Sequence, residues 1–160
     1  MASSTAKLEM TFDFRNAWVL MVDQSAGFMD VAAQMLQGFG FKKFHRFANL
    51  DRYRENREGL APDLILIDPF PERERAMEFI QEVRKQEAAT GFSMLVIVVT
   101  SKPSVTVVST ARECGADYVV AKPFSPKVLL DRILWSANAE STWEAPAEEA
   151  ARGPARIGLQ

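Results

Sequence analysis

The sequence predicts an α/β domain built on a doubly wound parallel sheet of five strands, and two patterns support this prediction. Apolar runs of strand length alternate along the chain with segments whose apolar residues recur every three or four positions, as in amphipathic helices. The strand-like runs, such as Leu64 to Ile67 and Met94 to Val99, are apolar throughout instead of alternating with polar residues. Continuous apolar runs are typical of parallel strands that are covered by helices on both faces and joined by right-handed crossovers.

Five strand–helix units follow one another in this pattern. The predicted strands are, in chain order, 18–22, 41–47, 64–67, 94–99 and 118–121. The predicted helices follow them at 28–39, 49–59, 75–85, 105–114 and 126–135. Ser104 and Ser125 are typical N-cap residues for the last two helices, and Gly115 is a typical stop signal. Charged residues in the strand at 41–47 favour an edge position, and we expect its His45 to face solvent.

Composition and charge limit the classes of function. The chain has 19 Lys and Arg against 21 Asp and Glu, so its formal net charge of −2 provides no overall field that would attract DNA. No apolar window approaches the length of about 18 residues that a membrane span needs, so we expect a cytoplasmic protein without a signal peptide. Cys114 is the single cysteine, which excludes an internal disulfide. We expect an N-terminal extension at 1–15, the domain at 16–137 and a flexible tail at 138–160.

Polar side chains stand where four of the predicted strands end. They are Asp23, Asp68, Thr100 and Lys122, and the carboxyl ends of parallel strands meet at one edge of the sheet. Together they are the parts needed to phosphorylate an aspartate. Asp68 would attack phosphorus, Lys122 would pair with the carboxylate or a phosphoryl oxygen, and Thr100 would donate a hydrogen bond. Asp23 would help to hold Mg²⁺ against the phosphoryl oxygens.

Five short motifs add a resemblance to a known family. In chain order they are Val22-Asp23, Leu64-Ile-Leu-Ile-Asp68, Val99-Thr100-Ser101, Gly115-Ala116-Asp117 and Lys122-Pro123-Phe124. Over residues 16–137 this order and spacing resemble the receiver domain of two-component response regulators, the CheY-like proteins. The resemblance implies a flavodoxin-like fold with Asp68 as phosphoacceptor, Thr100 as the switch hydroxyl, and Lys122 as the conserved lysine before a proline whose peptide bond is often cis.

The resemblance also implies partners. A sensor histidine kinase or a phosphotransfer protein would supply the phosphoryl group, and a downstream protein would bind the face formed by the fourth helix, fifth strand and fifth helix. The residues expected on that face are Tyr118, Val119, Pro123 and Phe124. Since the tail at 138–160 is too short for an output domain, we expect a stand-alone receiver that binds neither DNA nor membranes.

The site departs from the usual family pattern in three places. Receivers usually carry two adjacent acids after the first strand, but Gln24 follows Asp23 here, so the Mg²⁺ ligands would be Asp23, Gln24 and the backbone carbonyl of Phe70. A neutral amide lacks the Coulomb attraction of a carboxylate, which predicts weakened Mg²⁺ binding. Pro69 and Pro71 rebuild the loop after the phosphoacceptor. Val119 stands where an aromatic residue usually couples to the switch hydroxyl.

These departures keep alternatives open. A degenerate receiver would work as an adaptor without phosphorylation, and a variant of it would bind cyclic di-GMP. The arginines available for that ligand are Arg52, Arg54 and Arg57, or Arg152 and Arg156 in the tail. We do not expect an enzyme. A haloacid-dehalogenase-type phosphatase needs a second acid where Phe70 stands, and a flavodoxin needs a hydroxyl- and glycine-rich phosphate loop after the first strand.

Overall fold

The computed structural model describes residues 13–137, and the predictions for 1–12 and 138–160 lie outside these residues. Five parallel strands form one sheet in the order β2-β1-β3-β4-β5. The strands are β1 (Trp18–Val22), β2 (Lys43–Phe47), β3 (Leu64–Ile67), β4 (Leu95–Thr100) and β5 (Tyr118–Ala121). The helices are α1 (Ala26–Phe39), α2 (Leu50–Asn56), α3 (Arg73–Thr90), α4 (Val105–Cys114) and α5 (Pro126–Ala137). This is the predicted flavodoxin-like (βα)5 fold.

Both faces of the sheet are buried, which explains the continuous apolar strands. All four residues of β3 are at most 2% exposed. Leu64 and Leu66 belong to the core that α1 and α5 cover, whereas Ile65 and Ile67 belong to the core on the opposite face, which α2, α3 and α4 cover. Burial of each such side chain contributes about 1.5 to 3 kcal/mol. A strand with two apolar faces therefore has a strong preference for the centre of the sheet.

Hydrogen bonds at the helix ends confirm the predicted caps. Ser104 Oγ accepts the N–H of Val107 at 3.2 Å, and Ser125 Oγ accepts the N–H of Val128 at 3.2 Å. Gly115 ends α4 in the left-handed conformation, with φ of 114°. A Cβ at this position would lie 2.6 Å from Cγ of Arg84, so both the backbone and its neighbour require glycine.

Two predicted boundaries are wrong at the edge of the sheet. β2 begins at Lys43 and not at Phe41, because the N–H of Phe41 donates to the carbonyl of Leu36 at 3.0 Å as part of the turn that ends α1. α2 ends at Asn56, before Gly59. His45 is half-buried and does not simply face solvent, since its ring stacks on Trp18 at 4.3 Å. Within residues 13–137 no helix has the length and apolar character needed to cross a membrane.

Candidate phosphoacceptor site

The register of the two central strands brings Asp23 and Asp68 together. Val22 of β1 pairs with Ile67 of β3, and each carboxylate comes one residue later. The N–H of Asp68 donates to the carbonyl of Val22 at 3.0 Å, so the backbone pairing continues to the point where the acids begin. The two side chains therefore lie side by side at the carboxyl edge of the sheet.

Lys122 bridges these two carboxylates. Its Nζ lies 2.6 Å from Oδ2 of Asp23 and 3.0 Å from Oδ2 of Asp68. The side chains of Asp23, Asp68 and Lys122 are 2%, 10% and 15% exposed, so water screens them little. Two neighbouring carboxylates would repel each other strongly in such a place, and the ammonium group between them offsets this repulsion.

The remaining carboxylate oxygens are fixed by backbone donors. Asp23 Oδ1 accepts the N–H of Ser25 at 2.8 Å, and Asp68 Oδ1 accepts the N–H of Phe70 at 2.9 Å. Ser25 Oγ in turn accepts the N–H of Phe28 and caps α1. The first turn of α1 and the loop after β3 thus orient the acids, and each acid has one oxygen directed at Lys122.

Thr100 ends β4 beside this group and is fully buried. Its Oγ1 accepts the N–H of Lys102 at 3.0 Å, and its carbonyl accepts the N–H of Lys122 at 2.8 Å. The Lys102 ammonium lies 5.1 Å from the ring centre of Phe70, which connects the loop after β4 with the loop after β3. A change at Thr100 can therefore reach both loops and the backbone of Lys122.

An aromatic contact that the sequence did not reveal completes the surroundings of Lys122. Its Nζ lies 3.9 Å from the ring centre of Phe28, within the range of a cation–π interaction. Phe28 also packs edge to face on Phe124, with ring centres 5.8 Å apart. In the sequence Phe28 fits the apolar stripe of α1, so the pattern shows a core residue and gives no sign of the lysine.

Comparison with known proteins agrees with this geometry. The family model of the response regulator receiver domain matches residues 19–134. The chain belongs to this family. Among solved structures it is similar to a signal receiver domain of a two-component signal-transduction protein from Clostridium thermocellum, at 19% identity with a TM-score of 0.66, covering 77% of this chain and 98% of that one.

Two further structures show the same fold at low identity. A CheY-like receiver domain protein from Methanospirillum hungatei is 24% identical, with a TM-score of 0.64 and coverage of 78% of this chain and 95% of that one. The chemotaxis response regulator CheY4 of Vibrio cholerae is also 24% identical, with a TM-score of 0.61 and coverage of 74% and 96%. The receiver family and its fold are therefore shown.

The predicted Mg²⁺ ligands lie together in this receiver. Asp23, Gln24 and Phe70 line one small cleft, which Asp68 and Glu72 also line. Gln24 is exposed, and Glu72 is engaged by the guanidinium of Arg75 at 3.0 Å. Among residues 13–137 no group of three or more His, Cys, Asp or Glu side chains could hold a metal ion.

This donor set is nevertheless of the right chemical type. Mg²⁺ prefers oxygen ligands, often takes only one or two carboxylates from the protein, and keeps several waters. Asp23 and Asp68 supply the two carboxylates here. The Lys122 ammonium already lies between them, so a metal ion has to share or displace its contacts.

The expected output residues differ in their accessibility. Pro123 is exposed, and Val119 and Phe124 are half-buried. Tyr118 is only 5% exposed and its ring packs against Trp135 at 5.5 Å, so its placement on an exposed face is corrected. Alternation along β5 explains this, because Tyr118 and Val119 belong to opposite cores of the sheet.

The arginines of α2 mostly have acidic neighbours. Arg52 lies 3.9 Å from Glu55, and Arg54 lies 3.5 Å from Glu82. These are ion pairs on a solvated surface and carry little energy. Arg57 is exposed beyond the end of the helix. This arrangement provides no particular support for a nucleotide site, and Arg152 and Arg156 lie outside the described residues.

A buried ion pair lies at the opposite edge of the sheet. Arg84 Nη2 donates to Oδ2 of Asp117 at 2.7 Å, and its other guanidinium nitrogens reach the carbonyls of Gly115 and Met94 and the carboxylate of Glu87. Burial raises the pKa of Asp117, and the adjacent guanidinium opposes that rise. The sequence contained Asp117 in a family motif but gave no sign of its partner.

A cavity of about 610 Å³ opens beside this ion pair, whereas the cleft at Asp68 measures about 30 Å³. The cavity is lined in part by Phe41, Arg84, Phe92 and Asp117. Size alone would therefore favour the wrong edge of the sheet as the reactive site. The convergence of Asp23, Asp68 and Lys122 favours the small cleft instead.

Proposed function

We propose that this receiver is a signalling switch that takes a phosphoryl group on Asp68 from a sensor histidine kinase or a phosphotransfer protein. The observation that supports this most is the bridge from Lys122 to Asp23 and Asp68 at the carboxyl edge of the sheet. This bridge joins the carboxylate that we propose as nucleophile to a neutralising cation, and the N–H of Lys122 donates to the carbonyl of Thr100.

The transfer is a displacement at phosphorus. A carboxylate oxygen of Asp68 attacks the phosphorus of a phosphohistidine, the P–N bond breaks, and its electron pair stays on the imidazole nitrogen of the donor. The phosphoryl oxygens bring extra negative charge into the cleft. Lys122 stabilises that charge because its Nζ is already within 3.0 Å of the acceptor.

Receiver domains generally bind Mg²⁺ at this acidic pocket, and in this chain Asp23, Asp68, Gln24 and the carbonyl of Phe70 would hold it. The ion supplies positive charge against the phosphoryl oxygens. We propose a weakened site, because Gln24 contributes no charge and Lys122 competes for both carboxylates. Output passes to a protein target, and we propose a cytoplasmic switch without enzymatic turnover of its own.

The test is a titration with beryllofluoride and Mg²⁺, followed through amide resonances. We expect shifts at Phe70, Thr100 and Lys122 in the wild type and none in Asp68→Asn. Asp63→Asn is the matched control. Asp63 comes directly before β3, at the opposite end of the strand from Asp68. A wild-type protein that gives no response even at high Mg²⁺ would contradict phosphorylation.

That negative result would support a second candidate, a degenerate receiver that binds its target without phosphate. The observation favouring it is that Gln24 leaves two carboxylates, both of which Lys122 already contacts in the free protein. If the protein is such an adaptor, the wild type and Asp68→Asn should bind the same partner with equal affinity.

A further inference from the structure

The ammonium group of Lys122 has an aromatic neighbour as well as two carboxylates. Its Nζ is 3.9 Å from the ring centre of Phe28, which is nearer than the limit of about 6 Å for cation–π contacts. The lysine side chain is 15% exposed, so water does little to weaken the attraction. We propose that Phe28 positions Lys122 over the two acids and relays a movement of this lysine to Phe124.

The positioning follows from the geometry of three partners. Asp23 and Asp68 hold Nζ by charge, and charge alone allows the flexible side chain of lysine several approaches. The ring of Phe28 covers a further side of the Lys122 ammonium group. Phe28 itself is fixed, because its N–H donates to the capping Ser25 whose own N–H donates to Asp23. The cap of α1 therefore ties the acid and the ring into one unit.

The relay follows from the next contact. Phe28 meets Phe124 edge to face at 5.8 Å, and both rings pack against the core shared by α1 and α5. The position where receivers usually carry a coupling aromatic is Val119, which packs against the opposite core. A contact route through Phe28 and Phe124 would carry a movement of Lys122 to the face of the sheet that α1 and α5 cover.

This part of the inference rests on the proposed function. Phosphoryl oxygens on Asp68 attract the Lys122 ammonium, which moves it relative to the ring of Phe28. Phe28 then loses part of the interaction that orients it, and its edge contact with Phe124 changes. No covalent change beyond the phosphoryl transfer is required.

The positioning can be measured in the free protein. A ring this close shifts the ε-methylene protons of Lys122 upfield, and we expect Phe28→Leu to return them to ordinary lysine values. Phe39→Leu is the matched control, since Phe39 is a half-buried phenylalanine of the same helix and core. Phe28→Tyr should retain the shift. An unchanged shift in Phe28→Leu, or an equal loss in Phe39→Leu, would overturn the positioning; Phe28→Met replaces Phe28→Leu if the latter does not fold.

The relay is measured with beryllofluoride and Mg²⁺. We expect the ring resonances of Phe124 to move in the wild type and in Phe39→Leu. In Phe28→Leu the amide of Thr100 should still respond while Phe124 does not. A normal Phe124 response in Phe28→Leu would overturn the relay. If Thr100 is silent in the wild type, the proposed phosphorylation fails and the relay with it, but the measurement on the free protein still decides the role of Phe28.

Discussion

Replacing Gln24 by aspartate tests whether missing charge limits metal binding at this site. In the free protein Asp23 and Asp68 contribute two negative charges and Lys122 one positive charge, so these three side chains carry a net charge of −1. Gln24 is exposed and lines the same cleft as both acids. Gln24→Asp adds one negative charge there without altering the core.

The size of the effect follows from Coulomb's law. Two unit charges about 4 Å apart interact by about 1 kcal/mol in water, so a divalent ion gains about 2 kcal/mol. We use the value for water because Gln24 is exposed. This energy corresponds to an approximately 30-fold lower Kd for Mg²⁺.

Calorimetric or NMR titration with Mg²⁺ at low ionic strength measures this change, and added salt should reduce it. Gln34→Asp is the matched control, because Gln34 is also exposed but lies on α1 and does not line the cleft. Equal affinities for the two variants would refute the reasoning. The loop at Pro69 to Pro71, and not the missing charge, would then limit binding.

Three further predictions concern the rest of the described chain. Arg84→Met should lower the free energy of unfolding by about 3 to 5 kcal/mol in a urea titration, because it leaves the Asp117 carboxylate, which is 2% exposed, without its cation; a loss below 1 kcal/mol would contradict this estimate. Burial raises the pKa of Cys114, so at about pH 8 its thiol should react with a disulfide reagent several-fold more slowly than free cysteine, and equal rates would show an accessible thiolate. Burial lowers the pKa of His45 from its usual 6.5, so the folded state binds fewer protons than the unfolded state and stability should fall as the pH drops below that value. His45→Phe keeps a ring against Trp18 and should remove this part of the pH dependence, which thermal unfolding between about pH 5 and pH 7 would reveal.

The fold could be predicted from the sequence because the patterns that determine it, apolar runs and capping residues, are local. β3 is buried on both faces, and only a run such as Leu64 to Ile67 satisfies both cores. The capping signals at Ser104 and Gly115 are equally local, since each acts within one helical turn. The predicted start of β2 was wrong for the same reason. Phe41 fits a strand pattern locally, but its N–H donates to the carbonyl of Leu36 in the turn after α1.

The site could be predicted from the sequence only in part. The acids, the threonine and Lys122 could be placed because parallel strands bring their carboxyl ends together. The contacts of Phe28 with Lys122 and of Arg84 with Asp117 could not, because they join helices to distant loops. No periodic pattern records which helix residue meets which loop residue, so these pairs require the packed structure.

The glutamine at position 24 should have two opposed effects on the phosphorylation that we propose for Asp68. Loss of a carboxylate weakens the attraction for Mg²⁺, but it also lowers the repulsion that a negatively charged phosphodonor meets on entering the cleft. Lys122 amplifies the second effect, because it already compensates one of the two remaining charges. The effect of Gln24→Asp on phosphorylation should therefore change sign with Mg²⁺ concentration. Without the ion the added charge repels the donor, and with the ion bound it holds the cation that attracts the donor.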